Sequence, residues 1–397
     1  MRPTTTAKPT VLIVGGPDVD ARIELMQALK DEFSLAAAGS SPQLSQRFAQ
    51  AGFDYFYYPL GRGSNPFQDI YTVICLWRLF RRLRPHVVHA FDTKPGVWGP
   101  LAAWLAGVPV IIGTFTGFGS LYGSDHISTR IARAIYQPLQ KSASQVSDLT
   151  VFQNHADARQ SIATGIVAER KARVILGSGV STDLFAPARV SDMQKTQLRG
   201  ELGIRPDEIV VTMISRVIRS KGVLEFMAAA QDVGIRYPNV RFLLIGPEDE
   251  ESIDRLSVEE LTEVRRAVIW PGPRRDIPSV LAVSDIFVLP SAYREGIPRV
   301  LLEAASMGLP IVTTHSPGCN EVVEHGVNGF LVPVRDSKAL GQAILRLIEE
   351  PELRQRLGRV SRQRAVERFD LAVIADHIRS VYWQMLARQA LLPATES

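Results

Sequence analysis

The sequence predicts an α/β protein of two domains, each a parallel sheet covered by helices on both faces. Three observations predict it. The chain has 397 residues, 46% hydrophobic and 22% charged, an ordinary globular composition with length for two or three domains and a large core. Short apolar runs alternate with helical patterns almost throughout, as buried parallel strands joined by crossover helices do. The alternation breaks once, at Gly177-Ser178-Gly179 and the loop to Ala186-Pro187, and then restarts.

Taken in order, the apolar run Val11–Val14 closes on Gly15-Gly16 and is followed by an amphipathic stretch, Ala21 to Phe33. Further runs end at His89, Gly113 and Gln153, each before a helix-like segment. The stretch Pro95 to Ser124 has no charge but holds seven glycines and three prolines. Its most apolar piece is shorter than the roughly 20 residues a membrane span requires. It reads as a buried helix, Val97 to Ala106, and a buried strand, Val110 to Gly113. The pattern restarts at Ile209–Ile214 and continues through Arg241–Ile245, Val268–Trp270, Ile286–Leu289 and Pro310–Thr313. Leu371 to Ala390 reads as a helix reaching back over the first domain. The expected division is 1–187, 188–370 and a terminal helical segment, 371–397. These are two Rossmann-like domains, with ligands expected beyond the carboxyl ends of the strands, in a cleft between the halves.

Composition excludes several classes. Two cysteines, Cys75 and Cys319, rule out a disulfide scaffold and a cysteine-rich metal site. The chain opens without a basic and then apolar leader, so a cytoplasmic protein is expected. Net charge is +4, and residues 1–190 hold 19 Lys and Arg against 13 Asp and Glu. That favours an anionic partner for the first half. Nucleic acid is not expected, because no recognised binding motif is present and the basic excess is modest.

Two segments of the second half carry chemistry. In Arg294-Glu295-Gly296-Ile297-Pro298-Arg299-Val300-Leu301-Leu302-Glu303, Gly296 allows a ligand close to the backbone. Pro298 suits the first turn of a helix, whose N–H groups and dipole suit a phosphate. Glu295 precedes that helix and Glu303 lies on its second turn. On spacing alone, a surface glutamate before a helix carrying another accounts for the pair equally well. In Arg216-Val217-Ile218-Arg219-Ser220-Lys221-Gly222, Arg216 and Lys221 flank a short loop and suit a diphosphate, one as a planar fork and the other as a point charge. Alone, a solvated basic loop explains them better.

Together these segments resemble family 4 of the retaining glycosyltransferases, which have the GT-B fold. The resemblance rests on Arg216 and Lys221-Gly222, followed some 70 residues later by Glu295-Gly296, Pro298 and Glu303, then Met307-Gly308-Leu309-Pro310, Pro317-Gly318-Cys319-Asn320-Glu321 and Gly326-Val327-Asn328-Gly329-Phe330. In the first half, His89-Ala90-Phe91-Asp92-Thr93-Lys94-Pro95, Thr116-Gly117-Phe118-Gly119, Val151-Phe152-Gln153-Asn154 and Gly177-Ser178-Gly179-Val180 resemble a narrower subgroup. Its members build bacterial surface glycans on polyprenyl diphosphate: capsule, exopolysaccharide, O-antigen and N-glycan precursors.

The resemblance implies a nucleotide-sugar donor, UDP-linked, carrying a hexose or N-acetylhexosamine. Arg216 and Lys221 would hold and stabilise the leaving diphosphate, and Glu303 the ribose hydroxyls. Glu295 would contact the donor sugar, Gly296, Ile297 and Pro298 would meet sugar and phosphate, and Gly15 and Gly16 would let the first domain approach. It implies retention of configuration and no metal or other cofactor. Where many members carry a histidine after the Val110–Gly113 strand, this chain has Thr116. Asp92, Lys94 and Thr116 are the acceptor-side candidates, with Lys94, before Pro95, expected in an extended loop. Transfer to a soluble acceptor and a non-catalytic scaffold of the same fold are the alternatives.

Other residues read as structural: His89 as a satisfied core residue, Asn154 as a helix cap, and Glu248 to Glu251 as a solvated acidic loop. Ile70 to Arg84 is apolar and aromatic and carries four arginines in its last seven residues, and Ile127 to Lys141 mixes Arg130, Arg133 and Lys141 with apolar residues. Both suit peripheral contact with an anionic membrane, at the inner face of the plasma membrane for a lipid-linked acceptor. For the first segment, a core helix with a solvated basic end stands slightly ahead, its apolar residues being too evenly spread for one clean face.

Overall fold

The computed structural model describes residues 8–61, 65–118, 127–252 and 254–390. Gly119 and the end of the uncharged stretch lie outside them. The chain forms two compact units, Met1–Ser178 with Leu371–Ser397, and Gly179–Asp370.

In the first unit, strands β1 (Thr10–Val14), β2 (Ser34–Gly39), β3 (Asp54–Tyr57), β4 (Val87–Phe91), β5 (Val110–Phe115), β6 (Leu149–Phe152) and β7 (Ala172–Val174) alternate with helices α1 (Ile23–Leu29), α2 (Leu44–Gln50), α3 (Pro66–Leu83), α4 (Pro95–Ala106), α5 (Ile127–Val146) and α6 (His155–Ala163). The sheet is parallel, in the order β3-β2-β1-β4-β5-β6-β7. Alternate side chains of β1 serve opposite faces. Val11 and Ile13 join the core under α1, while Leu12 and Val14 join the core with Leu76 and Phe80 of α3. Two buried faces explain why the strand reads as a continuous apolar run.

The second unit contains α7 (Asp192–Glu201), β8 (Ile209–Ile214), α8 (Val223–Arg236), β9 (Val240–Ile245), α9 (Val258–Ala267), β10 (Ile269–Gly272), α10 (Ile277–Ala282), β11 (Ile286–Leu289), α11 (Arg299–Ser306), β12 (Ile311–Thr314), α12 (Cys319–Val322), β13 (Gly329–Val332), α13 (Ser337–Glu349) and α14 (Pro351–Arg364). Its parallel sheet runs β10-β9-β8-β11-β12-β13. In both sheets the order reverses beside the unit's first strand, between β1 and β4 and between β8 and β11. Such a reversal leaves a crevice at the carboxyl ends of the two strands.

The unit boundary falls at Ser178–Gly179, earlier than residue 187. Segment 179–187 belongs to the second unit because its backbone is bonded there. Val180 N–H donates to the Phe369 carbonyl. Arg362 donates to the carbonyls of Thr182, Phe185 and Ser306 at 2.9, 2.9 and 2.7 Å.

The terminal helix α15 (Leu371–Ala390) packs on the first unit, with Ile374, Ile378, Tyr382 and Met385 in its core. There His89, fully buried, bonds the Tyr382 hydroxyl at 2.7 Å and the Thr114 hydroxyl at 2.6 Å, a structural role as the sequence suggests. Burial pushes its imidazole pKa down to about 3. The folded state therefore refuses a proton that the unfolded chain takes up near pH 6.5. On this account stability falls by about 1.4 kcal/mol per pH unit as pH drops from roughly 6.5 toward 3. Denaturant midpoints between pH 7 and 5 will check this. His89→Gln, which keeps a donor and an acceptor, should flatten the dependence.

Candidate active site

Each sheet reversal carries a cluster of the sequence-selected residues. In the second unit, the loop after β8 ends in one tight turn, Arg219–Lys221, before Gly222 opens α8. Gly222 has φ +82°, and a Cβ there would lie 2.2 Å from the Pro290 carbonyl oxygen. Only glycine allows the loop to sit this close to the end of β11. The Ser220 carbonyl then accepts from the N–H groups of Ala292 and Tyr293, at 2.8 and 3.1 Å. These bonds bring Lys221, only 9% exposed, to an ion pair with Glu295. The Lys221 ammonium also lies 5.4 Å from the centre of the Tyr293 ring.

Arg216 turns elsewhere. It is half-exposed and bonds Asp249 at 2.7 Å. The acidic loop is therefore not merely solvated: Asp249 holds Arg216, and Glu248 pairs its backbone with Val217. Asp249 escaped the sequence reading. Its signal is an acid just beyond the end of β9, beside the strand whose loop carries Arg216.

Helix α11 begins at Arg299, so Pro298 is its cap rather than its first residue. The cap side chain accepts no bond from the first turn, because proline has no acceptor. Gly296, Ile297 and Pro298 are buried. Glu303, 8% exposed, lies on α11 and accepts from Arg299 at 3.0 Å. Glu303 and Glu295 thus have different cationic partners, Arg299 and Lys221.

Gly318, in the loop after β12, stands in the sequence only as one glycine of the Pro317-Gly318-Cys319-Asn320-Glu321 pattern. It has φ +85°, and a Cβ there would stand 2.4 Å from the Gly296 carbonyl oxygen and 2.8 Å from that of Glu295. Thr314 and Ser316 hydroxyls donate to the Ser291 carbonyl, fixing this loop against the one that carries Glu295. Neighbouring Cys319 is fully buried, which pushes its thiol pKa up. It is an inert packing residue.

The reversal in the first unit is built similarly. Asp92, just after β4, has φ +72° and accepts from the Gly16 N–H at 3.2 Å. The Gly15 carbonyl accepts from Tyr58 at 2.7 Å. A Cβ on Gly15 would lie 2.7 Å from Val19 Cγ2, so packing alone already demands that glycine. Lys94 departs from expectation. Its φ and ψ, −74° and −48°, are helical rather than extended, because its carbonyl takes N–H bonds from Val97 and Trp98 in the first turn of α4. Its ammonium bonds Asp69 of α3 and the Gly61 carbonyl, each at 2.9 Å. Thr116 is half-buried just beyond β5, and Asn154 caps α6 through a 2.7 Å bond from Asp157 N–H.

Among the described residues no group of three or more His, Cys, Asp or Glu is placed to hold a metal ion. Nor is any helix long and apolar enough to cross a membrane.

Two parallel sheets of this order, with charged pairs at their reversals, define a protein with the GT-B glycosyltransferase fold. The Anabaena protein HepE, solved with UDP-glucose, superposes with a TM-score of 0.77 at 22% identity, over 94% of this chain and 99% of that one. The model of the family "Glycosyl transferases group 1" matches residues 194–364 and that of "Glycosyl transferase 4-like domain" matches 17–177. The chain belongs to this glycosyltransferase family. It is 28% identical over 340 residues, 84% of each chain, to the Escherichia coli UDP-Gal:alpha-D-GlcNAc-diphosphoundecaprenol alpha-1,3-galactosyltransferase. It is 29% identical over 363 residues to the Campylobacter jejuni N,N'-diacetylbacillosaminyl-diphospho-undecaprenol alpha-1,3-N-acetylgalactosaminyltransferase, covering 91% of this chain and 94% of that relative.

Proposed function

We propose that this chain moves a hexose or N-acetylhexosamine from a UDP-sugar to a polyprenyl-diphosphate-linked saccharide at the inner face of the plasma membrane, with retention and without a metal ion. The observation that carries the reading is the Lys221–Glu295 pair at the β8/β11 reversal, beside the start of α11. The activities for which the Escherichia coli and Campylobacter jejuni relatives are named support the acceptor class.

In this reading the donor diphosphate lies against Arg216, Lys221 and the first-turn N–H groups of α11, and Glu303 takes the ribose hydroxyls. The bond from the anomeric carbon to the diphosphate oxygen breaks, and UDP departs with the electron pair. The acceptor hydroxyl oxygen bonds to the same face of that carbon, and its proton passes to the departing phosphate. Charge grows on the phosphate as the bond breaks, so cations and N–H groups fixed beforehand stabilise that moment most. Glu295 holds Lys221 until the donor arrives and then receives a sugar hydroxyl. Asp92 and Thr116 serve the acceptor side, with Lys94 steadying their loop from Asp69.

A thermal-shift screen against UDP, GDP, ADP and their sugars tests the donor, because a ligand of the folded state raises the melting temperature. A shift with one UDP-sugar, unchanged by chelator, is expected, and Glu295→Gln should keep the UDP shift while losing transfer. No shift with any nucleotide would transfer the weight to a scaffold.

A further inference from the structure

Helix α5 packs on α4, yet part of its inward side is polar. Tyr136, Gln140 and Ser144 follow one another at helical spacing and share one side. The Tyr136 hydroxyl donates to the Thr93 carbonyl, which ties this side to the loop that carries Asp92. Gln140 and Ser144 are each 7% exposed. Both line a narrow cavity of about 40 Å³ between α4, α5 and the carboxyl ends of β4 and β5. Asp92, half-buried, and Thr93, exposed, stand on its solvent side, and Val97, Ile166 and Val167 supply an apolar wall. The Oε1 atom of Gln140 has no hydrogen-bond partner among the described residues. A buried amide oxygen left so destabilises a fold, whereas an apolar side chain of the same size would not. The amide therefore calls for a guest in the cavity.

We propose that this cavity receives the acetamido group of the acceptor's terminal sugar, and that Gln140 is the residue that selects it. The proposal rests on the saccharide-acceptor reading above and names the class of sugar. Size agrees. At roughly 10–15 Å³ for each water-sized occupant, the cavity takes about three non-hydrogen atoms, which an acetyl group supplies as carbonyl carbon, oxygen and methyl carbon. A sugar ring or a phosphate is too large. Polarity agrees as well. The acetamido N–H needs an acceptor, which Gln140 Oε1 offers, and its carbonyl needs a donor, which the Ser144 hydroxyl offers. Its methyl group meets Val97, Ile166 and Val167. A carboxylate is the poorer guest, because Asp92 repels it and no lysine or arginine is among the described residues that line the cavity. Seated so, the sugar presents the hydroxyl next to its acetamido carbon toward Asp92. One group thus fixes both which sugar accepts and which hydroxyl attacks.

Acceptor kinetics of the full chain test it, with the UDP-sugar that the thermal-shift screen selects. The probes are N-acetylglucosamine and N-acetylgalactosamine, with glucose and galactose as their hydroxy counterparts, each on a short-chain polyprenyl diphosphate and each as a p-nitrophenyl glycoside. An N-acetylated sugar is expected to exceed its hydroxy counterpart by about a hundred-fold or more in kcat/KM, since a hydroxyl leaves the buried amide unpaired. Gln140→Leu should cut kcat/KM for the N-acetylated sugar about ten-fold or more, chiefly through KM. It should leave the hydroxy counterpart and the UDP-sugar thermal shift at wild-type values, and melt no lower than wild type, because leucine needs no partner. Ser144→Ala, which removes only a hydroxyl, should give a smaller loss of the same selective kind, and decides the matter if Gln140→Leu does not fold. Equal use of N-acetylated and hydroxy sugars, or a preference that Gln140→Leu leaves intact, overturns the proposal and assigns the cavity to ordered water. Selectivity that depends on Gln140 but appears only with the p-nitrophenyl glycosides leaves the cavity standing and sinks the lipid-linked reading. Transfer to lipid-linked sugars without that selectivity does the reverse, and no transfer to any probe overturns both.

Discussion

Lys221→Ala is expected to cut kcat/KM by about 10²–10³-fold, the usual loss when one fixed donor to a developing anion is removed. The ammonium is nearly buried and bound to Glu295 beside the Tyr293 ring. Its deletion removes a nearly buried positive charge at the end of the loop after β8 and leaves the Glu295 carboxylate without that cation. UDP binding should weaken together with turnover, since the same charge serves ground state and transition state. Lys221→Arg should restore little, because a planar fork does not replace a compact ammonium in a site shaped around one. Steady-state kinetics with a UDP titration by calorimetry will check both statements, and wild-type turnover in Lys221→Ala would refute the assigned role.

Gly318→Ala should be as damaging by a different route. It adds a single methyl group, yet that methyl meets two backbone carbonyls, of Gly296 and Glu295, at 2.4 and 2.8 Å, in a residue at φ +85°. Neither carbonyl can turn away like a side chain. The cost in stability should be about 2–4 kcal/mol, combining left-handed strain with overpacking. Because the displaced atoms carry Glu295, transfer should also fall when measured well below the melting temperature. Thermal unfolding alongside activity at low temperature separates the two effects. Gly326→Ala makes the control: it shares a positive φ, +78°, but has no atom within 4 Å of the added Cβ.

In the second unit the sequence, read through a resemblance rather than spacing alone, picked out Lys221-Gly222 after β8 and Glu295 and Glu303 around the start of α11, and the fold pairs Lys221 with Glu295. What the sequence could not display was who holds whom. Arg216 and Lys221 look like one cationic pair in the sequence, yet they pair with Asp249 and Glu295 respectively. Those partners are set by strand order, since β8 lies between β9 and β11. Gly318 was invisible as a constraint because its need arises from another loop's carbonyls. Strand β2, Ser34–Gly39, was missed for a local reason: its Ser-Leu-Ala-Ala-Ala-Gly sequence lacks the β-branched and aromatic residues that mark strands. Lys94 was misjudged because the rule for a residue before proline is a preference, and here a helical first turn overrode it. The terminal helix was legible as a helix, but its burial beside His89 depended on a contact across 293 residues.

That last contact bears on how the protein is made. The core of the first unit contains Ile374, Ile378, Tyr382 and Met385 of α15, and the whole of the second unit is translated before them. While the ribosome works through residues 179–370, the emerging first sheet lacks one wall, and Phe33 lacks the Tyr382 ring that meets its edge at 5.4 Å. The unit synthesised first is therefore completed last. During that interval an apolar surface awaits its cover, the condition under which nascent chains recruit chaperones or aggregate. Slow translation of the second half would lengthen the exposure, and a truncation shortly after residue 370 would leave it permanent.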